Sequence, residues 1–204
     1  MRVILALAGA LLAATGAAAQ DRSEFTRFED CEDRDPGDLA PYLQVCSTPF
    51  GFEVWLPYSE HSSAMAIGPN GLEAQFDERP EIGGLNMTIG PVMDWRFRSG
   101  EAEPYAGIIR YRGMTPVFDG EIGDFTGEVE TNSNILVVLA LRPEGEMSAC
   151  HVAYIDAMEV PNANAVAHTI AASRARDFAC AEDEILIVDA ENPVRIMLRY
   201  PDED

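Results

Sequence analysis

A chain of 204 residues, of which 47% are hydrophobic and 24% charged, is too apolar to be disordered and long enough to bury a core of its own. Its formal net charge of -21, with arginine but no lysine, disfavours nucleic acid and anionic lipid surfaces as partners. Binding to either depends on clustered positive side chains that neutralise phosphates.

The amino terminus has the three-part order of a cleavable signal peptide. A positive start precedes the apolar run 3–12, and Ala17 and Ala19 offer the small side chains that a signal peptidase requires. The apolar run is about half of the roughly 20 residues that span a bilayer, which makes a membrane helix the weaker interpretation. We expect residues 1–19 to be removed. The mature residues 20–204 then form one periplasmic or secreted domain without a membrane span.

The mature segment holds four cysteines, and an even number in an exported protein indicates disulfide bonds. Of the three possible pairings we favour Cys31 with Cys46 and Cys150 with Cys180, because each pair encloses a compact segment. No two cysteines have the close spacing of a zinc knuckle or of a Cys-x-x-Cys redox motif. Structural disulfides are therefore preferred over either alternative.

The first half of the mature chain predicts short strands separated by loops. Residues 20–49 are polar, acidic and interrupted by prolines, which indicates an irregular or hairpin-like segment held by the first disulfide. Residues 51–56 alternate in polarity as a half-buried strand does, and Pro57 is expected to end that strand. Residues 64–67 and 85–89 are further strand candidates, with a loop or hairpin between them.

The middle of the chain predicts the centre of a sheet. In residues 95–98 and 108–112 arginines alternate with apolar residues, so in strands the guanidinium groups point outward and the apolar side chains inward. Residues 113–134 are rich in Gly, Asp, Glu and Thr, which predicts turns. The continuous apolar run 135–141 fits a central strand covered on both faces, and residues 150–155 predict its antiparallel neighbour.

One helix is predicted, over residues 162–177. Asn162 is a suitable cap, and Arg174 and Arg176 lie near the carboxyl end, where they suit the helix dipole. The apolar face consists of Ala163, Val166, Ala167, Ile170 and Ala171. With two final strands at 184–188 and 194–200, we expect an α+β fold: a mostly antiparallel, twisted sheet or half-barrel with one packed helix.

Residues 150–180 carry a resemblance. A Cys-x-Val-x-Tyr-Ile-Asp-Ala strand at 150–157 precedes an Ala-rich helix, and Phe178 and Cys180 close the segment. This pattern resembles the carboxyl-terminal part of a group of small, exported, uncharacterised proteins of alphaproteobacteria, and Cys31 with Cys46 fits the same group. The resemblance implies export, disulfides and a single domain, and it supplies no catalytic residue.

No catalytic residue and no cofactor are predicted. The three histidines, His61, His151 and His168, lack metal-ligand spacing, so a structural or surface role is expected for each. The segment 59–63 holds all the groups of a nucleophilic triad. Triad members normally converge from separate elements, however, and Gly-x-Ser-x-Gly is absent.

Several acidic residues are weak site candidates. The possible oxygen ligands for Ca²⁺ are Asp30, Glu32, Asp33, Asp35 and Asp38. Their order does not match an EF-hand, and a solvated acidic loop is the preferred interpretation. Glu128 and Glu130 would share a strand face as an acid and base pair, but accidental pairs are expected among 35 acids.

Three further residues have structural and functional interpretations. Asp156, at a strand end before the helix, is expected to cap backbone amides or to pair with Arg174 rather than to act in catalysis. Tyr154 and Trp55 either line a groove or fill a core, and large aromatic residues usually fill cores.

Three hypotheses about function follow. The leading one is a non-enzymatic periplasmic binding or accessory protein whose acidic surface meets another protein or a small cationic ligand. The second is a hydrolase of envelope polymers that uses two carboxylates about 5 to 9 Å apart. The third is a calcium-stabilised structural domain that uses residues 30–38.

Overall fold

The computed structural model describes residues 21–35, 37, 41–58, 63–68, 87–118, 125–142, 148–180, 182–189 and 195–197. They form two β-sheets and one α-helix. The strands are β1 (Arg22–Arg27), β2 (Glu32–Arg34), β3 (Tyr42–Ser47), β4 (Glu53–Tyr58), β5 (Ala66–Ile67), β6 (Met87–Phe97), β7 (Ala106–Phe118), β8 (Phe125–Leu141), β9 (Ala149–Asp156), β10 (Ile185–Val188) and β11 (Arg195–Met197). The helix α1 (Ala163–Ile170) continues as a π-helical turn, Ala171–Ala175.

The large sheet has the strand order β1-β6-β7-β8-β9-β10-β11, and the small sheet has the order β2-β3-β4-β5. All neighbours are antiparallel except β9 and β10, which are parallel and connected through α1. Both sheets are open in the described part of the chain. The predicted α+β fold, with a mostly antiparallel sheet and one packed helix, is confirmed.

The three layers enclose two cores. The small sheet contributes Val54, Leu56 and Ile67 to a core that includes Trp95 and Phe97 of the large sheet. The helix covers the opposite face of the large sheet and forms the second core with β8 and β9. Each large apolar side chain that is fully buried contributes about 1.5 to 3 kcal/mol to the stability of the fold. A sheet that is covered on both faces gains this stabilisation on each face only where its strands carry apolar side chains on both sides.

The apolar run 135–141 lies in β8, the middle strand of the large sheet, as predicted. Ile135, Val137 and Leu139 belong to the core under the small sheet. Leu136 and Val138 belong to the core under the helix. Successive side chains of a strand point to opposite faces, so a strand between two cores reads as one continuous apolar segment.

The predicted positions of strand ends fail at glycine and proline. The predicted strands 85–89 and 95–98 meet in one strand where they are described, because β6 (Met87–Phe97) runs through Gly90 and Pro91, with a register shift between Ile89 and Met93. Residues 85 and 86 lie outside the described residues. Within residues 113–134, predicted to contain turns, β7 continues to Phe118 and β8 begins at Phe125, with further register shifts. A bulge interrupts the ladder locally, which is where a strand tolerates proline.

Pro57 does not end β4, which continues to Tyr58. Its carbonyl oxygen accepts a hydrogen bond from the amide of Ala64, on the side away from β3. A residue's N–H and C=O point to the same side of a strand, so proline at this position removes no hydrogen bond to β3. The strand therefore passes through it.

The amino-terminal segment is only partly as predicted. The hairpin of β2 and β3 holds the Cys31–Cys46 disulfide, but β1 instead forms an edge of the large sheet by pairing with β6. The Cys150–Cys180 disulfide connects β9 to the segment after the helix. The prediction of disulfide bonds is confirmed, with the pairing expected from the sequence.

The helix keeps its predicted apolar face but not its predicted cap. Ala163, Ala167 and Ile170 are buried. Asn162 has a left-handed backbone, with φ of 56°, and its side chain makes no capping hydrogen bond. Its carbonyl oxygen accepts from the amides of Ala165 and Val166 instead. In the described part of the chain, no helix has the length and apolar character needed to cross a membrane.

Candidate ligand-binding cleft

The helix covers only part of its face of the large sheet. It packs over β8 and β9, and beside it, toward β6 and β1, the same face forms one wall of a cleft of about 290 Å³. We call this the helix-side cleft. Its lining residues are Phe25, Val92, Asp94, Ile108, Arg110, Leu136, Asn164 and His168.

Strand register brings the floor residues to one face. Phe25 pairs with Asp94, and Asp94 pairs with Ile108. Arg110, two residues after Ile108 on β7, pairs with Leu136. Directly paired residues of antiparallel strands point to the same face, so four strands present one continuous row of side chains to the cleft.

Asp94 and His168 join the sheet to the helix. The Nε2 atom of His168 lies 2.8 Å from Oδ2 of Asp94, and 13% of the Asp94 side chain is exposed against 41% for His168. The second oxygen, Oδ1, is buried and has no hydrogen-bond partner among the described residues. A buried acceptor without a partner costs free energy, so a donor that reached the Asp94 carboxylate would be stabilising.

Arg110 is a half-buried cation whose hydrogen bonds go to neutral groups. Its guanidinium donates to Oδ1 of Asn134 and, over 3.1 Å, to Oδ1 of Asn164. Burial lowers the pKa of Arg110, and the nearby charge of Arg112 lowers it further. No described carboxylate lies within 4.0 Å of this guanidinium. Its positive charge therefore has no ion-pair partner among the described carboxylates.

The helix wall of the cleft is fixed at its far end. Nη2 of Arg142, in the loop after β8, lies 2.8 Å from the carbonyl oxygens of Ala175, Arg176 and Phe178. These carbonyls end the helical segment, where backbone acceptors lack partners within the helix. Burial lowers the pKa of Arg142, and the charge of Asp177 opposes that shift. The guanidinium and the neighbouring disulfide hold this wall in place.

The histidines divide into two environments. His151 is buried in β9, and its Nδ1 lies 2.7 Å from the hydroxyl of Tyr154, which is itself a core residue. His168 has the Asp94 partner described above, a pairing that the sequence did not indicate. His61 lies outside the described residues, as do Ser59, Glu60 and Ser62.

The other singled-out side chains have local roles. Asp156 accepts a hydrogen bond from the amide of Met158 over 2.9 Å, which is the predicted capping of a backbone amide, whereas Arg174 contacts Glu184 and Phe178. Trp55 is half-buried and lies beside the Arg34 guanidinium. Glu128 and Glu130 have no described side chains.

The acidic segment forms no described metal site. Oδ1 of Asp35 accepts from the amide of Gly37, and Oδ1 of Asp33 accepts from the side chain of Gln44. Asp38 lies outside the described residues. Within the parts of the chain that are described, no three His, Cys, Asp or Glu side chains are grouped so as to hold a metal ion.

A second depression, of about 240 Å³, lies at the bulge of β6. We call it the bulge groove. It is lined by Phe28, Gln44, Leu56, Tyr58, Ser63, Thr88, Ile89, Gly90 and Pro91. No charged side chain belongs to this set. The helix-side cleft differs in combining an apolar floor with convergent charged and amide groups.

Sequence reasoning missed Asp94, Arg110 and Asn164. Arg110 belongs to an alternating segment whose guanidinium groups were expected to point outward to solvent. That expectation is wrong for Arg96, which is buried and donates to Ser23, and for Arg110, because the helix layer also faces this side of the sheet. Only the register of β6 against β7 identifies these residues as neighbours.

Comparison with known proteins gives no relative. No protein-family model matches the chain, and no curated protein or solved structure matches it.

Proposed function

We propose that this chain is a periplasmic or secreted, non-enzymatic binding protein whose ligand site is the helix-side cleft. Export is supported by the signal-peptide pattern of residues 1–19, by the two disulfides and by the resemblance to exported alphaproteobacterial proteins. The observation that carries the binding role is the convergence of Asp94, Arg110 and His168 over an apolar floor. Small-molecule sites commonly have this composition.

The chemistry of the lining supports binding rather than turnover. The Asp94–His168 pair has the arrangement of a base and its orienting acid, yet no hydroxyl or thiol belongs to the described lining of this cleft. A carboxylate-dependent hydrolase needs two acids, and Asp94 is the single acid among the described lining residues. The hydrolase and the calcium-stabilised domain stay predictions without a specific observation in their favour.

The proposal is tested by closing the cleft. Asn164 is exposed on the first turn of α1 and lines the cleft, so Asn164→Trp places an indole ring in the opening. Ala165→Trp is the matched control, because Ala165 is exposed on the same turn but does not line the cleft. Both variants and the wild type are screened by thermal shift against amino acids, hydroxy acids, simple sugars and the diamine putrescine.

We expect at least one compound to raise the melting temperature of the wild type and of Ala165→Trp but not of Asn164→Trp. A ligand that binds the native state stabilises it in proportion to the logarithm of its concentration over Kd, so the shift must grow with concentration. Stabilisation by putrescine would identify the expected cationic ligand. Equal shifts in both tryptophan variants would place the ligand elsewhere and refute the cleft as the site.

A further inference from the structure

In the helix-side cleft, Arg110 has no carboxylate partner among the described residues, and Asp94 has one carboxylate oxygen without a hydrogen bond. Arg110 is bonded to two neutral amide oxygens. Oδ1 of Asp94 is buried without a hydrogen bond, while its other oxygen meets His168. The two side chains form no ion pair with each other, since none joins them within 4.0 Å. The cleft thus presents one donor group and one acceptor group at separate points.

The separation of these groups defines the size of the ligand's polar part. Asp94 contacts His168, Arg110 contacts Asn164, and these two helix residues are four positions apart. Residues at this spacing are neighbours one turn apart on a helix surface, with Cβ atoms about 5 to 6 Å apart. The carboxylate and the guanidinium therefore lie at adjacent points along the cleft, where an ammonium and a carboxylate on one carbon atom, each about 2.8 Å from its partner, reach both.

The remaining surface defines the rest of the ligand. The floor between and beside the two charges is apolar, and it is formed by Val92, Ile108 and Leu136. Phe25 also lines the cleft, and with 64% of its surface exposed it leaves apolar area available to a ligand. An apolar group of the ligand would cover this surface.

We infer that the helix-side cleft binds an α-amino acid with an apolar side chain, with its carboxylate on Arg110 and its ammonium on Asp94. This inference rests on the proposed function and names its ligand class. Two N–H groups of Arg110 are used by Asn134 and Asn164, and a guanidinium has further N–H donors for a carboxylate. His168 acts as a positioning residue by fixing the Asp94 carboxylate.

The ligand series that tests this inference removes one group at a time. Isothermal titration calorimetry compares leucine and phenylalanine with 4-methylpentanoate, which lacks the ammonium, with 3-methylbutylamine, which lacks the carboxylate, and with glycine, which lacks the side chain. We expect leucine or phenylalanine to bind the wild type at least tenfold more tightly than each truncated compound. The series needs no variant, so it is unaffected by any loss of folding on mutation.

Variants then assign each contact. We expect Arg110→Met and Asp94→Asn each to weaken leucine binding at least tenfold, with circular dichroism confirming that each variant is folded. Arg176→Gln is the control. It removes an exposed arginine that pairs with Glu101 and does not line the cleft, and we expect less than a twofold change.

The outcomes separate this inference from the proposed function. Absence of binding by both amino acids overturns the inference, and so does equal binding of 4-methylpentanoate or 3-methylbutylamine. If another compound of the thermal-shift screen stabilises the wild type and Ala165→Trp but not Asn164→Trp, the proposed function stands and only the ligand class is wrong. If no compound raises the melting temperature of Ala165→Trp more than that of Asn164→Trp, both fail together.

Discussion

Replacing Arg142 by methionine removes the group that closes the carboxyl end of the helical segment. Its Nη2 carries two hydrogens and faces three carbonyl oxygens at 2.8 Å, so the three contacts amount to about two full hydrogen bonds. A hydrogen bond to a charged group contributes about 1.5 to 3 kcal/mol. Arg142 is half-buried, and solvent weakens its bonds, so we expect Arg142→Met to lower the free energy of unfolding by about 2 to 3 kcal/mol.

The measurement is urea denaturation followed by circular dichroism, with Arg176→Met as the matched control. Arg176 lies in the same region, and its pairing with Glu101 is exposed on both sides, so its removal should cost at most about 0.5 kcal/mol. In a domain of this size the Arg142 variant should melt about 4 to 12 °C below the wild type. A loss below 1 kcal/mol, or equal losses in both variants, would refute the view that Arg142 anchors the helix wall.

Three further predictions concern stability. Burial, reinforced by a hydrogen bond to Asp21, raises the pKa of Tyr105 from 10.0 to about 12. The stabilisation that comes from this shift is therefore complete below pH 10 and is lost as pH rises toward 12. Urea melts should show a free energy of unfolding that falls over that window, and the fall should be smaller in Tyr105→Phe. Replacing Cys150 and Cys180 by alanine opens a loop of 30 residues and should cost about 3.6 kcal/mol in the chain-entropy model; a loss under 1 kcal/mol in urea melts would contradict this. Added calcium should leave the melting midpoint unchanged, whereas a rise would support a metal site in residues 30–38.

Features that depend on short-range pattern could be predicted from the sequence. The apolar run 135–141 has no polar face, which requires cover on both sides, and the structure places it between two cores. The helical period after Asn162 identifies the buried face of α1 because that face repeats every three to four residues. The two disulfides could be expected because the chain combines an even number of cysteines with a signal-peptide pattern.

Features that depend on the long-range register of the strands could not be predicted from the sequence. Asp94 and His168 are 74 residues apart, and each alone is an ordinary polar residue in an alternating or helical segment. Their contact requires the bulge of β6, which sets which β6 side chains face the helix. In a sequence, glycine and proline indicate the end of a strand. Because β6 and β7 continue through bulges near Gly90 and Gly113, their full lengths could not be predicted.

The wrong prediction that Arg96 and Arg110 point outward has a related cause. Alternation predicts two faces of a strand but not what covers each face. The sequence pattern at Arg96 and Arg110 was consistent with a solvent-exposed face, whereas the helix layer and β1 make that face partly buried. The position of Arg110, away from any described carboxylate, depends on how the helix packs on the sheet and is not encoded in the local sequence pattern.

The central claim is that ligands enter the helix-side cleft, and two-dimensional ¹H–¹⁵N NMR with leucine as the probe tests it most directly. The account predicts that the backbone amide signals of Asp94, Arg110 and Asn164 shift progressively with leucine concentration while those of Tyr58 and Ile89 in the bulge groove stay in place. Shifts confined to the bulge groove, or no shifts at all with leucine and with the other screened compounds, would contradict it.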